Sequence, residues 1–125
     1  MPNIRDEEVN RIISDTSISF KENNYTRVIE LIEVLLKNYS DLVNLANLQE
    51  MRAVSLLKVG RFSEAQHILK GFLEEHKKLG MPISSTTWMH NWLVCYYKGN
   101  SSEAMNQFVQ LDEEKAASLI ALFSE

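Results

Sequence analysis

The chain has 125 residues and a formal net charge of −4, and it contains only four glycines and two prolines. A β-sandwich or barrel needs turn residues about every 8–12 positions, and a disordered linker would not be 45% hydrophobic, so neither class fits. The sequence has no basic stripe of the kind that binds nucleic acid, no apolar run near the roughly 18 residues of a membrane span, and an acidic start unlike a secretory signal. We therefore expect a soluble, cytoplasmic, all-α domain spanning residues 1–125.

The hydrophobic pattern predicts seven short helices and no strand. The first helix follows an N-cap at Asn3, and five residues share one of its faces: Val9, Ile12, Ile13, Thr16 and Phe20. The second begins near Tyr25 and is apolar around most of its circumference, which indicates that neighbouring helices cover it on two sides. The third runs from a cap at Ser40 or Asp41 to Val59.

The fourth helix ends at Gly80 and contains Gly71, which costs about 1 kcal/mol relative to alanine. We interpret Gly71 as a place where another helix approaches closely. Residues 84–87 offer caps for the fifth helix, Asn100 caps the sixth and Asp112 caps the seventh.

A repeat relates three of the predicted helical hairpins. Segments 24–29, 60–66 and 99–105 each begin with a turn residue and place a small or β-branched residue at the start of the next helix. That residue is Val28, Ala65 or Ala104, at steps of 37 and 39 residues. Large apolar residues follow four and seven positions later: Ile32, Leu69 and Phe108, then Leu35, Phe72 and Leu111. The small residue suits the crossing of two close helices, and stacked hairpins bury apolar faces that one hairpin leaves open.

This pattern resembles the tetratricopeptide repeat family, most closely at Arg52-Ala53-Val54-Ser55-Leu56-Leu57-Lys58-Val59-Gly60-Arg61-Phe62-Ser63-Glu64-Ala65 and, with an early tryptophan, at residues 88–99. The chain departs from the family where Thr16 and Trp92 replace the small residue seen at Ala53, and no proline closes a repeat. The resemblance implies a right-handed α–α superhelix of three degenerate helix pairs plus a C-terminal capping helix. The units are 4–39, 41–79, 84–111 and 112–124. A neighbouring helical-hairpin family is the alternative.

In tetratricopeptide proteins the first helix of each pair lines a concave groove. The positions carried over by alignment are Ile13, Phe20, Asn47, Glu50, Val54, Leu57, Met89, Leu93, Tyr96 and Tyr97. The clamp of Lys, Arg and Asn that holds a C-terminal carboxylate in some family members is absent here. An apolar groove with Tyr and Met suits a hydrophobic or amphipathic helix or extended segment of a partner protein. The alternative is that these residues fill contacts between adjacent hairpins.

Catalytic and metal-binding patterns are absent from the sequence. Cys95 is the single cysteine, and His67, His76 and His90 are not spaced to place two ligands on one helix face. Glycine-rich phosphate loops and the nucleophile-elbow motif are also missing. We therefore expect no enzyme activity and no cofactor.

In size, charge and architecture the chain is similar to the tetratricopeptide-type chaperones of bacterial type III secretion, which implies a chaperone or adaptor. Three alternatives stay open at this point. The chain could be an interaction domain of a larger cytosolic scaffold or cochaperone, or a small enzyme using Cys95 and a histidine. It could also associate with itself through the apolar residues of its last helix: Leu119, Ile120, Leu122 and Phe123.

Overall fold

The computed structural model describes residues 4–121, which form seven α-helices and, within that range, no strand. This confirms the all-α class. The helices are α1 (Ile4–Lys21), α2 (Tyr25–Asn38), α3 (Leu45–Lys58), α4 (Phe62–Lys78), α5 (Thr87–Tyr96), α6 (Ser101–Phe108) and α7 (Glu113–Ala121). The predicted cap at Asn3 and the predicted end of the last helix, residues 122–124, lie outside the described residues.

The helices belong to two compact units that meet in sequence between Val59 and Gly60. In the N-terminal unit, α2 packs against both α1 and α3, and in the C-terminal unit α5 packs against both α4 and α6. Packing therefore follows chain order within each unit. The prediction that α2 is covered on two sides is confirmed, because Val28, Ile32 and Leu35 are completely buried in a cluster with Val9 and Leu48.

Side-chain caps define where most of the helices begin. Asn24 and Asn100 accept hydrogen bonds from the backbone N–H three residues further on, at 3.3 and 3.0 Å. The predicted start of α3 at Ser40 or Asp41 is wrong, because Asn44 is the cap. Asp41 instead forms an ion pair with Arg5 of α1, at 3.2 Å, and so lies in the turn before the helix.

The three turns that the repeat predicts each contain left-handed backbone. Asn23 has a φ of 61°, Gly60 of 83°, and Lys98 and Gly99 of 51° and 89°. At Gly60 the requirement for glycine is conformational, since an added Cβ would meet no atom within 4 Å. At Gly99 an added Cβ would also lie 3.1 Å from Cζ of Phe62, so the packing of this turn adds a second requirement.

The small residues that open the second helix of each predicted pair are all completely buried. Val28, Ala65 and Ala104 each have 0% exposure, as expected where two helices cross closely. Four positions later, Ile32 and Leu69 are also completely buried. Phe108, the third residue at this step, is only half-buried, so the three segments share complete burial at the first position alone.

Gly71 does not mark a close helix approach, and that prediction was wrong. Gly71 is exposed, and among the described residues no atom outside its own helix lies within 4 Å of where its Cβ would be. Replacing Gly71 with alanine is therefore expected to raise the free energy of unfolding by about 0.5–1 kcal/mol, because glycine loses more backbone entropy on folding. Urea denaturation followed by circular dichroism measures the change, and a loss of stability would contradict the open environment.

Candidate functional site

In the N-terminal unit, the predicted groove positions retain some exposed surface. Ile13 on α1 is 36% exposed, while Phe20 is half-buried against the core and its ring lies nearly perpendicular to that of Tyr25, with centroids 5.8 Å apart. On α3, two of the predicted residues are exposed and two are half-buried: Asn47 and Glu50, then Val54 and Leu57. The exposed members of this predicted set are therefore Ile13 and the polar residues of α3.

In the C-terminal unit, α5 buries half of its predicted groove positions. Met89 and Leu93 have 0% exposure, so neither presents a surface to a partner in this structure. The reason is that the ten-residue α5 packs between α4 and α6 and is covered on two sides. Tyr96 and Tyr97 stay half-buried at its end, with ring centroids 4.9 Å apart.

Tyr97 belongs to an open cleft of about 480 Å³ in the C-terminal unit, which we call the C-terminal cleft. Its other walls come from α6, the following turn and α7. The lining residues are Tyr97, Gln107, Gln110, Leu111, Asp112, Glu114, Lys115, Ser118 and Leu119. The apolar part of the lining is therefore Tyr97, Leu111 and Leu119.

Hydrogen bonds tie the N-terminal end of helix α7 to the rest of the C-terminal unit. The Glu113 carboxylate accepts hydrogen bonds from the backbone N–H and the hydroxyl of Ser84, at 3.2 and 2.9 Å, which ties α7 to the turn before α5. Among the described residues of α7, Ala116 alone is completely buried. This anchoring leaves Leu119 in the C-terminal cleft, while Ile120 lines a smaller cavity of about 140 Å³ beside Leu73 of α4.

The α6 wall of the C-terminal cleft carries two glutamines whose amide groups are already engaged. Nε2 of Gln107 donates to Glu103 at 3.0 Å, and Nε2 of Gln110 donates to Asn106 at 3.3 Å. Each glutamine therefore keeps its carbonyl oxygen as an acceptor and its second N–H as a donor, because a side-chain amide carries a carbonyl oxygen and an NH₂ group with two N–H donors.

The polar residues of the α7 wall also keep hydrogen-bond acceptors available. The Ser118 hydroxyl donates to the backbone carbonyl of Glu114 at 3.0 Å, so its oxygen can accept a further hydrogen bond. Asp112 accepts the backbone N–H of Lys115 at 2.8 Å through one carboxylate oxygen. This confirms the predicted cap of α7 and leaves the second carboxylate oxygen of Asp112 as an acceptor.

Tyr97 contributes a neutral hydroxyl to the cleft. Burial raises the pKa of Tyr97 above its ordinary value, and the nearby Glu103 carboxylate raises it further. The phenol therefore stays protonated at neutral pH and can both donate and accept a hydrogen bond.

Of the candidate catalytic residues, Cys95 is buried, His76 and His90 are half-buried and His67 is exposed. Cys95 is 2% exposed, and burial raises the pKa of its thiol to about 12. The His90 ring packs against Phe108, with centroids 5.4 Å apart, and Nδ1 of His76 is 2.9 Å from the carbonyl oxygen of Phe72. Within residues 4–121 no three His, Cys, Asp or Glu side chains are grouped closely enough to hold a metal ion.

The sequence singled out four of the lining residues for separate reasons and did not predict that they lie together. Tyr97 came from the alignment, Leu111 from the repeat, Asp112 from its capping role and Leu119 from the self-association alternative, whereas the glutamines of α6 were missed. Leu122 and Phe123 of that alternative lie outside the described residues. Leu111, an apolar residue in a short polar turn, was the sequence signal that pointed to this part of the surface.

No helix within residues 4–121 is both long and apolar enough to cross a membrane.

No protein-family model, curated protein or solved structure matches this chain.

Proposed function

We propose that this chain is a non-catalytic protein-interaction module that binds an apolar or amphipathic segment of a partner protein in the C-terminal cleft. The carrying observation is the cleft itself, which combines Tyr97, Leu111 and Leu119 with polar side chains on both walls. Its volume of about 480 Å³ falls within the roughly 300–1,000 Å³ typical of concave ligand sites. A site of this size holds a few side chains of a partner, as helix-in-groove recognition requires.

The fine architecture is part of the same proposal. We propose that the helix pairs are degenerate tetratricopeptide-like repeats that form a right-handed superhelix with α7 as the cap. The left-handed residues at Asn23, Gly60 and Gly99 and the completely buried Ala65 and Ala104 support a repeat relation. A cytoplasmic chaperone or adaptor of the type III secretion kind is the specific role that such a module would fill, and an interaction domain of a larger scaffold is the alternative.

A non-catalytic role is favoured over a cysteine enzyme by the state of Cys95. A nucleophilic cysteine needs an accessible thiolate, which is usually stabilised by a nearby positive charge or a helix N-terminus. Cys95 is instead buried near the C-terminal end of α5, and burial raises the pKa of its thiol, which disfavours the thiolate form.

Leu119 is the variant site that tests the cleft. Replacing Leu119 with aspartate is expected to weaken the binding of a synthetic amphipathic helical peptide at least about tenfold, because a carboxylate would replace apolar contact area. The assay is a titration of the ¹⁵N-labelled full chain followed by NMR, with shift changes expected at Tyr97, Gln107 and Gln110. The matched control is Val109→Asp, since Val109 is 70% exposed and does not line the cleft.

Two results would contradict the proposal. Equal affinity of the Leu119→Asp variant and the unmodified chain would remove the cleft as the binding site. Shift changes confined to Ile13, Asn47 and Glu50 would move the site to the predicted positions of the N-terminal unit. Sedimentation at two concentrations checks the self-association alternative, which predicts a heavier species at the higher one.

A further inference from the structure

We propose that the C-terminal cleft selects a partner segment that carries an arginine beside its apolar anchor residue. This inference rests on the proposed function and specifies the partner's chemistry. It follows from two properties of the cleft lining, the balance of hydrogen-bond acceptors over donors and the balance of carboxylates over ammonium groups.

Hydrogen-bond acceptors outnumber donors in the polar lining. Gln107 and Gln110 each use one of their two amide N–H donors on a neighbour on α6 and keep the other, and the hydroxyl of Ser118 donates to the backbone of α7. Their oxygens remain available, as does one carboxylate oxygen of Asp112. A ligand that supplies several N–H donors therefore fits this lining better than a ligand that supplies acceptors.

The charges of the lining also favour a cationic partner group. Asp112 and Glu114 contribute two carboxylates, and Lys115 contributes one ammonium group. Glu114 is exposed and, within residues 4–121, forms no ion pair, so a partner's cation would not have to displace an existing one. The net charge of −4 on the whole chain adds a long-range attraction for a basic segment.

Arginine suits these acceptors better than lysine does. A guanidinium group is planar, remains charged and holds five N–H donors in a fixed arrangement, so it can engage a carboxylate and an amide oxygen together. An ammonium group acts more nearly as a point charge and is more strongly hydrated. The apolar anchor beside the arginine would contact Leu111 and Leu119, and the guanidinium group would engage the carboxylates and amide oxygens that line the same cleft.

The test uses three synthetic amphipathic peptides of one length and one apolar anchor that differ at a single adjacent position, which is Arg, Lys or Glu. Isothermal titration against the full chain at low salt is expected to give a dissociation constant about fivefold lower for the Arg peptide than for the Glu peptide, with the Lys peptide between them. Replacing Glu114 with glutamine is expected to reduce the Arg-to-Glu ratio to about twofold or less. Glu114 is exposed, so this variant is expected to fold normally.

The matched control is Glu75→Gln, which removes an exposed carboxylate of α4 outside the cleft and is expected to leave the ratio unchanged. Equal binding of the Arg and Glu peptides, or an unchanged ratio in the Glu114→Gln variant, would overturn the arginine inference while leaving the cleft as the binding site. If none of the three peptides causes NMR shift changes in the cleft, the proposed function itself is overturned.

Discussion

Replacing Leu93 with alanine is expected to lower the free energy of unfolding by about 2–5 kcal/mol, a large part of the roughly 5–15 kcal/mol that stabilises a typical domain. Leu93 has 0% exposure in the middle of α5, which packs between α4 and α6. Removing its terminal carbons leaves a cavity that neighbouring side chains fill only partly. Leu93→Glu is expected to be more severe, because it would bury an uncompensated carboxylate. Urea denaturation monitored by circular dichroism measures both effects.

The control for this experiment is Val109→Ala. Val109 is 70% exposed at the end of α6, so its replacement is expected to change the free energy of unfolding by less than about 0.5 kcal/mol. The sequence alignment placed Leu93 in a binding groove instead. A Leu93→Ala variant with unchanged stability and weakened peptide binding would favour that assignment over a core role.

Helix number and most capping residues were predictable because their signals are local. Asn100 and Asp112 cap their helices through hydrogen bonds to residues three positions away. The start of α3 was not predictable in this way. Asp41 is an equally good cap by type, but it lies in the turn before the helix, where it pairs with Arg5, a residue far away in sequence.

The candidate site was less predictable because it depends on how helices pack in three dimensions. Periodicity identifies the apolar face of α5 but does not show that α4 and α6 together cover both Met89 and Leu93. The C-terminal cleft depends on the separation between α6 and α7. Contacts that position α7 join residues far apart in sequence, as in the hydrogen bonds from Ser84 to Glu113, so periodicity does not reveal them.

Alkylation of Cys95 by iodoacetamide at pH 8 is expected to be more than about a thousandfold slower in the folded chain than in urea. The reactive species is the thiolate, and burial raises the pKa of Cys95 to about 12. At pH 8 that pKa leaves about one thiolate in ten thousand, against about one in four for an unperturbed thiol with a pKa near 8.5. The mass of the intact protein over time measures the rate, and the urea sample is the control for reagent and pH.

The raised pKa of Cys95 also predicts how stability and the alkylation rate change with pH. The folded state holds the thiol proton more tightly than the unfolded state does, so the contribution of Cys95 to stability is fully present below about pH 9 and is lost as the pH rises through about 12. Alkylation of the folded chain should accordingly keep accelerating from pH 8 to pH 10, whereas the rate in urea should level off above about pH 9. A plateau near pH 9 in the folded chain, together with rapid labelling at pH 8, would mean that the thiol is exposed and ionised, and would favour the cysteine-enzyme alternative.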